Sequence, residues 1–225
     1  MIDMTERKNF RIIFLLILFC NRLFFLQAQT VSDVDDNIYS TITVGKQIWM
    51  SENLKTTRYN DGNSIPLIIG DKSWSMLETP AYCWLNNDIQ NKELCGALYN
   101  WYAVDTKKLC PKGWHVPANT EWITFAIALG DENTAGAKIK EAGTTHWKNT
   151  IRISTDEFGF TALPAGMRLF YGSFPEFPND YTVWWTSTGT SEAEAWNRGL
   201  FFSSTKLLKA KENKKSGFSV RCIRD

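Results

Sequence analysis

The sequence predicts an α+β fold, and three patterns carry that reading. Thr41-Ile-Thr-Val44 alternates polar and apolar residues, and so does the stretch entering Ile48 and Met50 beyond Gly45-Lys46. Period two marks strands, and a two-residue link with glycine first marks a hairpin turn. Trp122, Phe125, Ala126 and Leu129 recur at i, i+3, i+4 and i+7, which is one apolar helical face over about 119–129. Two further strands, Ala195 to Phe202 and Gly217 to Ile223, close the chain.

Gln29 to Asn37 is polar and acidic and reads as a flexible leader over 29–37. Asn60-Asp-Gly-Asn-Ser64 is a loop by composition. Pro80 to Asp88 begins as a strand and ends in a turn, with Asn86-Asn-Asp88 as the turn. Gly96 to Val104 is apolar and aromatic, either a buried strand or a short helix, which periodicity does not decide. Cys110-Pro-Lys-Gly-Trp-His-Val-Pro117 then sets a rigid turn before the main helix, with Asn119 as its N-cap and Gly130 as its stop. A second helix spans about Thr134 to Glu141. Beyond Trp147 the chain is loop-rich, and Lys206 to Lys215 reads as a basic, solvated turn.

Residues 1–28 read as an export signal. Arg7, Lys8 and Arg11 precede the apolar run Ile12 to Phe19, and Ala28 offers a cleavage site. That run falls short of the roughly 20 residues a bilayer requires, and Asn21 and Arg22 interrupt the apolar sequence beyond it. An uncleaved anchor from Phe10 to Leu26 is the alternative. Bulky Phe19 before Cys20 argues against lipidation. The expected location is therefore outside the cytoplasm: secreted, on the cell surface or in the periplasm.

Without the signal, 25 basic and 24 acidic residues become 21 and 22. So balanced a chain offers no electrostatic case for nucleic acid or an anionic membrane, and no membrane insertion is expected after cleavage. The remainder, 38–225, suits one domain with a sizeable core, given ten tryptophans and fourteen phenylalanines in the chain. Cys83, Cys95, Cys110 and Cys222 lie beyond the signal, an even number that favours disulfides and allows three pairings. The chain lacks a Cys-x-x-Cys, and His115 and His146 stand far apart, so no metal and no cofactor is expected.

A family resemblance lies in ordered markers: Gly45-Lys-Gln-Ile-Trp-Met-Ser-Glu-Asn-Leu54, Tyr82-Cys-Trp84, Gly96 to Ala103, and Cys110 to Pro117. They continue through Gly143-Thr-Thr-His-Trp147, Gly159 to Gly166, Trp184-Trp-Thr-Ser-Thr188 and Ser219 to Arg224. From about Tyr39 to Asp225 the chain resembles the Fibrobacter succinogenes major paralogous domain, a module of bacterial exported proteins. The resemblance implies a C-type-lectin-like fold, with two helices packed on small twisted antiparallel sheets, a long loop-rich region and adjacent chain ends. It implies a Cys110–Cys222 bridge and a strand near Ile42 that pairs or neighbours the one ending at Cys222. Ala118 replaces the family's serine or threonine cap, so Glu121 is expected to lose its capping-box partner. The fold is also similar to that of the formylglycine-generating sulfatase modifiers, whose paired active-site cysteines are missing here.

The candidate sites are few. Cys83 and Cys95 form either a second bridge or two buried thiols. Trp184 and Trp185, with Arg168 as a polar arm, are candidates for a sugar-stacking platform on an exposed loop, against the commoner role of paired tryptophans in a core. Asn197 lies in Trp196-Asn-Arg198, where calcium-dependent lectins carry an aspartate in place of Arg198, and Pro178-Asn-Asp180 is only a faint echo of a calcium tripeptide. His115 and His146 read as structural hydrogen-bonding residues. No nucleophile elbow, acid–base pair or phosphate loop occurs at recognisable spacing. The expectation is a non-catalytic, calcium-independent binding module for a glycan or a surface protein. An extracellular polysaccharide-acting enzyme and a purely structural surface protein are the alternatives.

Overall fold

The computed structural model describes residues 29–148, 154–177 and 180–225; the signal read at 1–28 and most of Pro178-Asn-Asp180 lie outside the described residues. The fold is a mixed α+β one with several antiparallel sheets. Strands β1 (Thr30–Ser32), β2 (Ile38–Val44) and β3 (Gln47–Met50) join β10 (Ile223–Arg224) and β6 (Trp114–His115) in one sheet of order β1-β2-β3-β10-β6. β4 (Tyr82–Trp84) pairs with β5 (Ala97–Tyr99), and β7 (Tyr181–Gly189), β8 (Glu194–Phe201) and β9 (Leu208–Asn213) form a third sheet in that order. Short helices α1 (Asp71–Ser75), α2 (Lys92–Cys95) and α3 (Trp101–Asp105) precede the longer α4 (Asn119–Ala128) and α5 (Glu132–Ile139). Among the described residues no helix is long and apolar enough to cross a membrane.

The hairpin forms where its turn residues demand. Val44 faces Gln47, and Gly45 takes φ 61° at the first turn position. The apolar alternation then places Val44 and Trp49 under α4, against Trp122 and Phe125. Gly96 to Val104 resolves into both alternatives, strand β5 followed at once by helix α3, with Asn100 as the cap that accepts from the Ala103 N–H at 3.2 Å.

Five expectations need correction. Residues 29–37 are no free leader: β1 pairs with β2, and Asp33 accepts the Tyr39 hydroxyl at 2.5 Å. Helix α4 is capped by Ala118, not Asn119. Glu121 nevertheless keeps half of the box by accepting the Ala118 N–H at 2.7 Å, and Thr188 Oγ1 accepts the Asn119 N–H at 3.0 Å. Helix α5 starts before Thr134, because Asp131 accepts from the Asn133 and Thr134 N–H groups at 2.6 and 3.0 Å. The Lys206–Lys215 segment contains a true strand, β9, whose Leu208, Ala210 and Glu212 alternate with Lys209 and Lys211. Before Cys222 the closing strand is reduced to single bridges, such as Tyr99 with Phe218 and Trp184 with Ser219.

The first and last strands of the described residues share one sheet. Ile223 pairs with Trp49, which pairs with Ile42, so β3 stands between β2 and the terminal strand. Cys110 and Cys222 are bridged with Cα atoms 6.0 Å apart across a separation of 112 residues. His115 adds a polar fastening: its Nδ1 lies 2.6 Å from Asp225 and its Nε2 3.0 Å from Glu121. Burial works against charging this imidazole, but the Asp225 and Glu121 hydrogen bonds outweigh it and raise its pKa.

Replacing Cys222 by Ser is expected to cost about 4–5 kcal/mol in chemical denaturation, the chain-entropy value for so long a loop; Cys95→Ser, which opens no loop, should cost clearly less. The histidine contribution is present in full below the unfolded pKa of about 6.5 and is lost as pH rises through the raised folded value. The melting-temperature advantage of the parent over His115→Gln should therefore shrink as pH rises above about 6.5; a constant difference would disprove it.

Candidate binding groove

Three of the four residues expected to bind ligand are core. Trp185 has no exposed surface; its indole donates to the Tyr99 carbonyl at 2.9 Å and its ring lies 4.3 Å from that of Phe218. Trp184, on the other face of β7, is equally buried, donates to Asn53 Oδ1 at 2.8 Å and packs against Trp122 and Phe160. Alternation sends the neighbours to opposite faces, and here both faces are covered by separate apolar clusters. The stacking platform is thereby corrected to a strand between two cores.

Arg168 is a buried latch. Its guanidinium donates to the carbonyls of Gly172, Ile68 and Ile69 at 2.5, 2.6 and 2.8 Å and to Asp71 at 3.0 Å, beneath the rings of Trp74 and Phe174. Every strong donor direction is occupied by the fold, so it has no arm left for a sugar. Gly172 makes this closure feasible: at φ 105° a Cβ there would meet the Asp71 carbonyl oxygen at 2.2 Å.

The second bridge is also corrected. Cys83 and Cys95 are buried free thiols within one apolar cluster. The register sets Cys83 opposite Leu98, three residues beyond Cys95. Cys95 itself is the last residue of α2, outside that ladder. Burial pushes the Cys83 thiol up to about 12 and the Cys95 thiol to about 11, which leaves neither as a ready thiolate.

Asn197, only 6% exposed, is the candidate that borders an open groove. It lines an apolar groove of about 350 Å³ on one face of β7-β8-β9, together with Tyr181, Val183, Leu208, Ala210 and Glu212. Met167 and Phe218 form its other wall, and Gly199 leaves room at its floor. The alternation of β9 builds the outer rim, placing Leu208, Ala210 and Glu212 on the groove side. Leu208 and Phe201 are 42% and 38% exposed, an apolar edge that folding has not covered. The Asn197 amide makes no hydrogen bond among the described residues, and neither does the Tyr181 hydroxyl. Burial and the neighbouring Asp180 raise Tyr181 to about 12, so it is a neutral donor at physiological pH.

A second, polar cavity of about 170 Å³ lies near Ser51, Glu52, Lys55, Glu93 and Arg221. Its charges are engaged: Lys55 pairs with Glu93, whose pKa it lowers, and Arg221 donates to Asn53 at 2.9 Å and to the Phe160 and Thr161 carbonyls. Among the described residues no group of three or more His, Cys, Asp or Glu converges as a metal ligand set.

Sequence reasoning missed Tyr181, Leu208 and Glu212 as groove residues. The apolar–lysine alternation of Leu208-Lys-Ala-Lys211 was the signal, masked by the segment's basic composition. Trp185→Ala is expected to cost about 3–5 kcal/mol, as for deletion of a large core ring. Trp196→Ala, at a half-exposed tryptophan, should cost less in the same denaturation assay.

A family model described as the Fibrobacter succinogenes major domain matches residues 42–224. No curated protein matches the chain, and no solved structure does.

Proposed function

The chain belongs to the Fibrobacter succinogenes major domain family, and we propose that it is an exported, non-catalytic binding module on a C-type-lectin-like scaffold. Its ligand, a glycan or a protein outside the cell, docks in the groove of β7-β8-β9. The observation that carries this reading is the groove itself: an uncovered apolar surface beside an unengaged Asn197 amide, on a sheet whose other face is anchored by core tryptophan. Ligand pockets combine apolar walls with a few polar groups in this way, and loops and edges on a rigid frame are where recognition is cheapest to build.

Two further observations weigh against chemistry. The free thiols are pushed away from nucleophilic character by burial. The Glu93 carboxyl in the polar cavity is lowered by Lys55, the opposite of what a general acid needs. Calcium independence is supported by Arg198, whose guanidinium is fixed by Glu132 at 2.5 Å and Asn119 at 2.9 Å where a calcium site would want a carboxylate.

The test is a screen of the purified protein on a glycan array and a displayed-peptide library. A hit should weaken at least about tenfold, or about 1.4 kcal/mol, on Leu208→Glu, with an unchanged melting temperature and no response to chelator. Hits indifferent to groove substitutions would overturn the site. Release of reducing ends from a polysaccharide would overturn the non-catalytic reading.

A further inference from the structure

Beside the groove runs an unpaired strand edge. β9 is the outer strand of its sheet, and no backbone group from Leu208 to Glu212 bonds beyond β8 among the described residues. An open edge presents a row of free N–H and C=O groups that another strand can complete. The two faces flanking that edge differ sharply. On one lies the apolar groove, with Leu208 and Ala210 at its rim. On the other, Lys209 and Lys211 hold their ammonium groups 4.2 and 5.2 Å from the Trp196 ring centroid. Neither lysine forms an ion pair among the described residues.

We infer that β9 is a docking edge for an extended peptide in which acidic and apolar residues alternate. This rests on the groove reading above and names its partner. A strand added to β9 sends successive side chains to opposite faces. Its apolar residues then fall beside Leu208 and Ala210 and into the groove. Its acidic residues fall beside Lys209 and Lys211, whose charges lack partners. Main-chain hydrogen bonds supply affinity, and the two unlike faces supply register and specificity.

A second copy of this chain fits less well. Two β9 strands paired about a two-fold axis would bring Lys209 and Lys211 of one copy onto the same lysines of the other, and like charges opposed across strands destabilise. The lysines thus guard the edge against self-pairing while leaving it open to an acidic strand.

The experiment uses the purified protein and three synthetic ten-residue peptides: one alternating Asp and Val, one with the same composition in two blocks, and one alternating Lys and Val. Binding is followed by calorimetry and by backbone amide NMR. The alternating acidic peptide should bind, with shifts concentrated in Leu208–Asn213, and the other two should bind at least about tenfold more weakly. The double variant Lys209→Glu, Lys211→Glu should lose the acidic peptide by at least about tenfold and gain the basic one. Both substitutions are on an exposed face, and an unchanged melting temperature checks that the fold is intact.

Equal binding of the block and alternating acidic peptides would overturn the inference, since charge alone would then explain it. So would a dimer in sedimentation that the neutral double variant Lys209→Ser, Lys211→Ser strengthens, because the edge would belong to a second copy. A glycan hit lost on Leu208→Glu but indifferent to the lysines would refute the peptide while leaving the groove standing. If neither the acidic peptide nor any array hit responds to Leu208→Glu, both readings fail.

Discussion

The fold turns on the side chain of Asn53. Its amide donates to the Cys95 carbonyl at 2.8 Å and to Ser219 Oγ at 3.3 Å, and its Oδ1 accepts from the Trp184 indole at 2.8 Å and from Arg221 at 2.9 Å. Those four bonds use the full capacity of one amide. They tie the exit of β3 to α2, to the centre of β7 and to the approach to β10, segments up to 168 residues apart. An apolar residue here would leave the Trp184 indole N–H and the Nε of the buried Arg221 guanidinium unpaired, each costly in a dry interior. Burial lowers Arg221 to about 9, with the carboxylates of Glu52 and Asp156 opposing it. Its charge persists because Asn53 and two carbonyls receive it while the Phe160 ring lies 4.0 Å away.

That hub explains why the tryptophans are structural. β7 runs through the middle of the molecule with its faces assigned to different cores, one holding Trp184 with Trp49 and Trp122, the other holding Trp185 with Phe218 and Tyr99. The indole N–H groups of Trp184 and Trp185 are both satisfied by the protein, so burial of these two rings carries no polar penalty. At Trp184 and Trp185 that strand is committed on both sides and has no surface to lend to a ligand. Openness appears instead where the sheet runs out of cover, along β8 and β9 toward Leu208. The candidate site is thus a consequence of where packing stops, on a frame made rigid by where packing is densest.

Local rules were legible in the sequence and tertiary cover was not. Gly45-Lys46 specified its hairpin because glycine at the first turn position is a local requirement. The apolar face of α4 was equally local. Ala118 shows the boundary: the missing cap oxygen was visible, but Thr188, 69 residues away, supplies an acceptor to the Asn119 N–H. That leaves the Asn119 side chain free to accept from Arg198, an assignment no local rule contains. Whether Trp185 faced water depended on Phe218 and Tyr99 arriving from distant segments, so alternation gave its direction and not its burial. β9 was hidden because the lysines within and beside it made a strand look like a solvated turn. Cys110 and Cys222 were legible only through the family resemblance, since four cysteines leave three pairings open.

The same arrangement decides which changes reach the groove and which do not. Arg198 projects from β8 away from the groove and joins the first residues of α4 and α5 through Asn119 and Glu132. Asn197, its neighbour, projects into the groove. One strand therefore carries the scaffold on one face and the recognition surface on the other, one residue apart. The helices hold β8 from behind, β8 holds β9, and the free edge lies two strands from the β7 core. An edge so placed is ordered before any ligand arrives, and a partner strand meets a preformed register with little ordering left to do.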